Sequence, residues 1–284
     1  MPTGWSPWAD WGVHGGLRLQ RHVRHGVSRV LGPNGVRFRG DFRSAEAEFR
    51  AMQAAVPLTS DHAVILLHGL FRSRGAMGRM ARALAEDGYA PATVHYPSTR
   101  RDIDGHAEQV EGVLDRIVGP TQVSFVGHSL GGIVARRVLD RTRPWRDHLT
   151  PRRLVTLGSP HQGAAIAEAL HRVPGFRRFA GPTLTELTPA NAKPQPPPVP
   201  FAVIAGGRRG TGFNPLLEGD DDMTVRVDEA MLEGADDTLV LDAVHTLIMM
   251  DRRAIDAVRH YLSTGRLSPA ATETSSSAAD ELRH

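Results

Sequence analysis

The sequence predicts an α/β chain with a mostly parallel sheet, and three observations carry that reading. From residue 62 onward, short apolar runs alternate with amphipathic stretches, which reads as strand and helix in turn. The run "AVILLHGL" is almost continuously apolar, as a strand buried on both faces requires. The stretch "QVSFVGHSLGGIVARRVLD", residues 122–140, passes from strand-like to helix-like across one serine set between glycines.

Taken in order, "GAMGRMARALAEDG" reads as a helix with Gly88 as its C-terminal stop. "APATVHY" is strand-like, and "DGHAEQVEGVLDRIVG" is helical, with Val110, Val113, Leu114 and Ile117 on one side. "QVSFVGH" is a strand, "GIVARRVLD" a helix and "RLVTLGS" a strand again. "FAVIAGG" and "TLVLDAVH" supply two further strands, and "RRAIDAVRHYL" closes the domain as a helix.

Three regions stand outside this alternation. Residues 171–200 are Pro-rich and weakly periodic, so they read as a loop-rich, lid-like insertion over one end of the sheet. Residues 267–284 are polar and without an apolar face, which predicts a disordered tail. Residues 1–60 form a basic arm and lead-in helix: Trp5, Trp8 and Trp11 are three of the four tryptophans, and arginines outnumber acids. Leu19, Val23, Val27 and Val30 fall at helical spacing, which suggests a short basic amphipathic helix. From it follows the expectation of peripheral membrane contact through residues 5–43, weighed against an arm simply packed on the domain or a disordered leader. The main domain is then residues 61–266.

Composition sets further bounds. With 284 residues the chain can bury a full core, and its lack of cysteine excludes disulfides, thiolate metal sites and a cysteine nucleophile. The formal net charge is +3 and all basic residues but Lys193 are arginine, a composition bias rather than a nucleic-acid signature. No apolar run reaches the length of a membrane span, and the N-terminus lacks a secretory pattern, so the expectation is a cytoplasmic protein, peripheral to a membrane where the arm makes contact.

The chemistry centres on Gly127-His128-Ser129-Leu130-Gly131, a G-x-S-x-G pentapeptide. Alone it is weak; a preceding strand and a following helix are what a strained nucleophile elbow needs. The Leu130 amide, opening the helix, then faces an anion forming beside Ser129. A second oxyanion donor is expected in "LLHGLF": the amide of Leu70, with Phe71 as alternative. Chain order of nucleophile, acid, histidine favours His245 as base, with His161 the runner-up, His128 pointing away from the serine and His68 bracing the oxyanion loop. Asp220, Asp221 and Asp222 are all candidates for the acid that orients the imidazole. Their spacing is not that of a calcium loop, so neither metal nor cofactor is expected.

Together "LLHGLFRS", "VGHSLGGIVAR", "LVTLGSPHQGAAIA", "FAVIAGGRRGTGFNPLLEGDDDMTV" and "DAVHTLIM" resemble, in order, the α/β-hydrolase superfamily, and in particular bacterial lipase- and esterase-like members near the lipase and inositol-deacylase-like branch. The resemblance spans about residues 61–266. It implies the α/β-hydrolase fold and cleavage of carboxylic esters, lipid esters among them, through an acyl-enzyme on a Ser129–Asp222–His245 triad. Asp222 is singled out because the family's D-G-T-V element falls on Asp222-Met223-Thr224-Val225, with Met223 in place of the glycine. Two rival functions share these residues: acyl transfer to an alcohol, and an inert hydrolase fold serving as a binding module.

Overall fold

The computed structural model describes residues 6–176, 180–208 and 210–268. Trp5 and the predicted tail from residue 269 lie outside them. The chain opens with four antiparallel strands, β1 (Trp8–His14), β2 (Leu17–His22), β3 (Ser28–Gly32) and β4 (Gly35–Gly40), in the order β1-β2-β3-β4. Helix α1 (Phe42–Ala54) follows, with Asp41 as its N-cap accepting the Ser44 amide. Leu17, Leu19 and Val30 from one face of this sheet enclose Ala45 and Phe49 of α1 in a small core of their own.

The expected amphipathic helix over this region is therefore corrected to strands. Gly15 and Gly16 take positive φ of 49° and 87° and turn the chain between β1 and β2. Between those turns the side chains alternate, Leu17 and Leu19 inward to α1 and Arg18 and Gln20 to the other face, so period two prevails over helical spacing. Trp8 and Trp11 pack against neighbouring side chains of this unit. Trp8 lies beneath the Arg29 guanidinium and Trp11 meets Phe42 edge-on.

The second sheet is six-stranded and wholly parallel: β5 (His62–Leu67), β6 (Ala90–Val94), β7 (Gln122–His128), β8 (Thr150–Leu157), β9 (Phe201–Gly207) and β10 (Asp237–Asp242), in the order β10-β9-β8-β7-β5-β6. Helices α2 (Gly78–Glu86), α3 (Ile103–Leu114), α4 (Leu130–Asp140), α5 (Ala165–His171), α6 (Pro182–Glu186), α7 (Val227–Ala230) and α8 (Arg252–Thr264) come between and after these strands. Two apolar cores result. One joins Ile65, Leu67 and Phe125 to α3 and α4, and the other joins Val64, Leu66 and Ile204 to α2 and α8. Alternate residues of β5 thus enter opposite cores, which is why its sequence is apolar without interruption.

Chain order reverses direction between β5 and β7, since β6 lies on one side of β5 and β7 to β10 on the other. Such a switch point opens a crevice at the carboxyl ends of the two strands. There the loop after β5 and the turn after β7 face each other. Residues 171–200 contain the short α6, a single 3₁₀ turn at Pro189–Asn191 and an extended Pro-rich strap. Arg136 of α4 ties this strap down, donating to the carbonyls of Lys193 and Gln195.

Candidate active site

Strand β7 delivers Ser129 at its end with φ 54° and ψ −123°, and α4 starts at the next residue. A side chain rarely adopts that backbone, and the space around it admits none on the flanking glycines. A Cβ on Gly127 would stand 2.5 Å from the carbonyl carbon of Gly131, and one on Gly131 would stand 2.7 Å from the carbonyl carbon of Leu67. The G-x-S-x-G spacing is a steric requirement of passing this turn between two strands.

Ser129 Oγ lies 3.0 Å from His245 Nε2, and His245 Nδ1 lies 2.7 Å from Asp222 Oδ2. All three side chains are buried, with Ser129 9% and His245 7% exposed. Asp222 cannot swing away, because its Oδ1 accepts the amides of Thr224 (3.0 Å) and Val225 (2.8 Å) and its carbonyl accepts the His245 amide (2.7 Å). Carboxylate, imidazole ring and both backbones are fixed together. Gly158, at the end of β8, leaves room for the pair, since a Cβ there would lie 2.9 Å from Asp222 Oδ2.

The three aspartates divide their work. Asp220 accepts the amides of Arg208, Gly210 (2.8 Å) and Gly212 (3.2 Å), and Asp221 accepts those of Asn214 (2.9 Å) and Met223 (2.7 Å). Only Asp222 reaches the histidine. Met223 takes φ 87° where the related pattern carries glycine, and its side chain is exposed, so the turn keeps its shape at the expense of backbone strain. Among the described residues no group of acidic and histidine side chains could hold a metal ion.

The other histidines have separate duties. His161 Nε2 pairs with Thr156 Oγ1 at 3.1 Å and its Nδ1 accepts Arg136 at 2.8 Å, which leaves no ring nitrogen for Ser129. His128 turns away from the serine and donates Nε2–H to the His245 carbonyl at 2.9 Å. Burial, and then the neighbouring His245, push its pKa far below the usual range, so it is neutral. His68 Nδ1 donates to the Gly69 carbonyl at 2.9 Å, and burial holds its pKa down to about 3.

On the oxyanion side, the Phe71 amide donates to Ser98 Oγ at 3.1 Å. That leaves the Leu70 amide as the better candidate of the two, with the Leu130 amide at the start of α4 opposite. Tyr96 hydroxyl donates to the His68 carbonyl, and its ring stacks on the His68 ring at 4.3 Å. Motif reading missed Tyr96, Ser98 and the support His128 gives His245. None belongs to a spaced pattern, and the adjacency of "HYPS" to the end of a strand was the single available hint.

Residues 58–173 match the family described as "Putative serine esterase (DUF676)". The mature lipase BlEst2 of Bacillus licheniformis superposes with a TM-score of 0.54 at 18% identity, over 72% of this chain and 92% of that one. The metagenomic carboxyl esterase MGS0156 gives 0.54 at 18% identity, over 68% and 67%. The esterase of Exiguobacterium antarcticum gives 0.52 at 15%, over 72% and 92%. The chain has the α/β-hydrolase fold. No curated protein matches it. Ser129, Asp222 and His245 lie beyond the carboxyl ends of β7, β9 and β10, where hydrogen bonds link the three side chains. No helix among its described residues is long and apolar enough to cross a membrane.

Proposed function

We propose that this α/β-hydrolase is a serine carboxyl-ester hydrolase in which Ser129 is the nucleophile, His245 the general base and Asp222 the acid that orients it. The observation that carries the proposal is the continuous relay from Asp222 through His245 to Ser129 Oγ, at 2.7 and 3.0 Å. As Ser129 attacks an acyl carbonyl, Nε2 takes the hydroxyl proton and Asp222 stabilises the imidazolium. The carbonyl oxygen gains negative charge beside the amides of Leu70 and Leu130, which stabilise it. Collapse expels the alcohol, protonated by His245, and leaves an acyl-enzyme. Water then attacks under the same base and releases the acid.

Apolar side chains favour a hydrophobic acyl group. Leu70 and Phe71 of the oxyanion loop, Ile133 one turn after Ser129, and Leu170 and Phe176 near the insertion are only partly buried against one core. Phe71 and Phe176 meet edge-on at 6.4 Å, which joins the oxyanion loop to the insertion. The neighbours described as lipase and carboxyl esterase agree with this substrate class. Membrane contact through residues 5–43 belongs to the proposal on charge alone, since seven arginines face two aspartates between residues 6 and 43.

A fluorophosphonate probe, which reacts with activated serines, tests the assignment. Labelling of the intact protein at Ser129, located by mass spectrometry and abolished in Ser129→Ala, is the expected result. Absence of label where a control hydrolase reacts would overturn it.

A further inference from the structure

The N-terminal sheet has one face against α1, and its other face gathers more arginines than carboxylates. Asp10, Gln20, Arg29 and Arg39 are directly paired across the four strands, so their side chains share that face. Asp10 is fully buried and already engaged: its carboxylate accepts Arg18 (2.7 Å), Gln20 (2.7 Å) and the His95 amide (2.8 Å). Arg18 is in turn tied to the Thr93 carbonyl at 2.8 Å. Among the described residues its ion pair is with Arg18.

Arg29 is held rigidly. Its Nε and Nη2 donate to Gln20 Oε1 at 2.9 and 2.7 Å, and its guanidinium lies 3.9 Å from the centre of the Trp8 ring. The Nη1 edge of the fork is left over in a fixed direction. Arg39 approaches the same ring at 5.9 Å, from the exposed edge strand. Arg74, from the 3₁₀ turn after the oxyanion loop, lies within electrostatic range of both Arg18 and Arg29. Among the described residues no carboxylate forms an ion pair with Arg29, Arg39 or Arg74. Burial, then the Arg39 charge, and Arg74 against the opposing pull of Asp10, lower the pKa of Arg29. Like charges that outnumber the one carboxylate near them repel one another, and an anion offsets that cost.

We propose that Arg29 and Arg39, both on the Trp8 ring, with Arg74 in electrostatic range of Arg29, form a binding site for a phosphate-class oxyanion, either free or borne on a lipid headgroup. Arginine suits this ligand better than lysine does, because its planar fork donates two parallel hydrogen bonds to a pair of phosphate oxygens. Stacking on Trp8 and the Gln20 bonds prepay the ordering of Arg29, so little freedom is lost on binding. None of these residues belongs to the Asp222–His245–Ser129 relay.

Binding is measured on the full chain carrying Ser129→Ala, so that no turnover intervenes. Inorganic phosphate and pyrophosphate are titrated by calorimetry at low salt, and vesicles of phosphatidylglycerol and of phosphatidylcholine are compared by co-sedimentation. Arg39→Gln and Arg74→Gln serve as variants because neither side chain makes a structural hydrogen bond, and an unchanged melting temperature without anion checks their fold. Saturable binding of a free anion or a preference for phosphatidylglycerol is expected, weakened about tenfold or more in the double variant. A response to free phosphates assigns a soluble ligand, and one to vesicles alone assigns a headgroup; both support the site. No saturable binding to any probe, equal binding of the two vesicle types without binding of free anion, or undiminished binding in the double variant would overturn it.

Discussion

At the scale of single residues, the site depends on which side chain a strained backbone presents and which neighbours hold it there. Ser129 occupies its turn because the flanking glycines vacate the space, and His245 stays in line because Asp222 and His128 hold its ring and its carbonyl. Ser129→Ala is expected to lower ester turnover by about 10⁶, and Asp222→Asn by about 10⁴ through the wrong imidazole tautomer. Both are read from kcat on a chromogenic ester, with circular dichroism to check the fold. Asp221→Asn touches no atom of His245, so its main effect should be on stability. Met223→Gly removes the strain of φ 87° at an exposed position but enlarges the freedom of the unfolded chain. The net expectation is a gain of roughly 0–1 kcal/mol in denaturant unfolding, with activity retained. A loss of stability would mean that the Met223 side chain does more than tolerate its turn.

At the scale of elements, the N-terminal sheet shows how a local pattern can point two ways. Leu19, Val23, Val27 and Val30 are spaced for a helix, yet Val23 and Val27 fall in the connection between β2 and β3. Leu19 and Val30 are instead cross-strand partners over α1. Its docking on the six-stranded unit runs through Trp11, whose indole lies over Gly112 of α3, so close that a Cβ there would stand 2.6 Å from the ring. Gly112→Val is therefore expected to cost at least about 1–3 kcal/mol by overpacking and to loosen the sheet, seen as faster proteolysis of the first sixty residues. By contrast the six parallel strands were legible from sequence, because each carries a short apolar run bounded by turn residues. The insertion was legible only as an interruption. That Arg136 and His161 secure its strap depends on pairs 25 to 59 residues apart.

At the scale of the whole molecule, several histidines are folded away in neutral form. Burial pulls the pKa of His68 down to about 3 and that of His106 to about 4, and His128 and His161 also lie well below the usual range. Each has a folded pKa below its unfolded value near 6.5, so the unfolded chain binds more protons as pH falls. Their contribution is complete above about pH 6.5 and is lost progressively below it. His68 and His106 should each cost about 2 kcal/mol of stability at pH 5 relative to pH 7. Urea midpoints measured across that range check the sign, and His106→Gln should flatten the slope. A stability constant from pH 7 to 5 would contradict the buried neutral assignment.

By itself the sequence determined the strand–helix alternation, the elbow at Ser129, and the chain order that favours His245. These are local or ordinal properties, set by side-chain periodicity and by the backbone freedom of glycine at one turn. Only the tertiary structure pairs Asp222, and not Asp220 or Asp221, with His245, gives the Phe71 amide to Ser98 Oγ, and makes strands rather than a helix of residues 8–40. Each of these choices turns on which distant partner satisfies a hydrogen bond or covers an apolar face. Partners 23 and 116 residues apart, as in the Asp222–His245–Ser129 relay, are brought together by the sheet and by no feature of their neighbours in the chain.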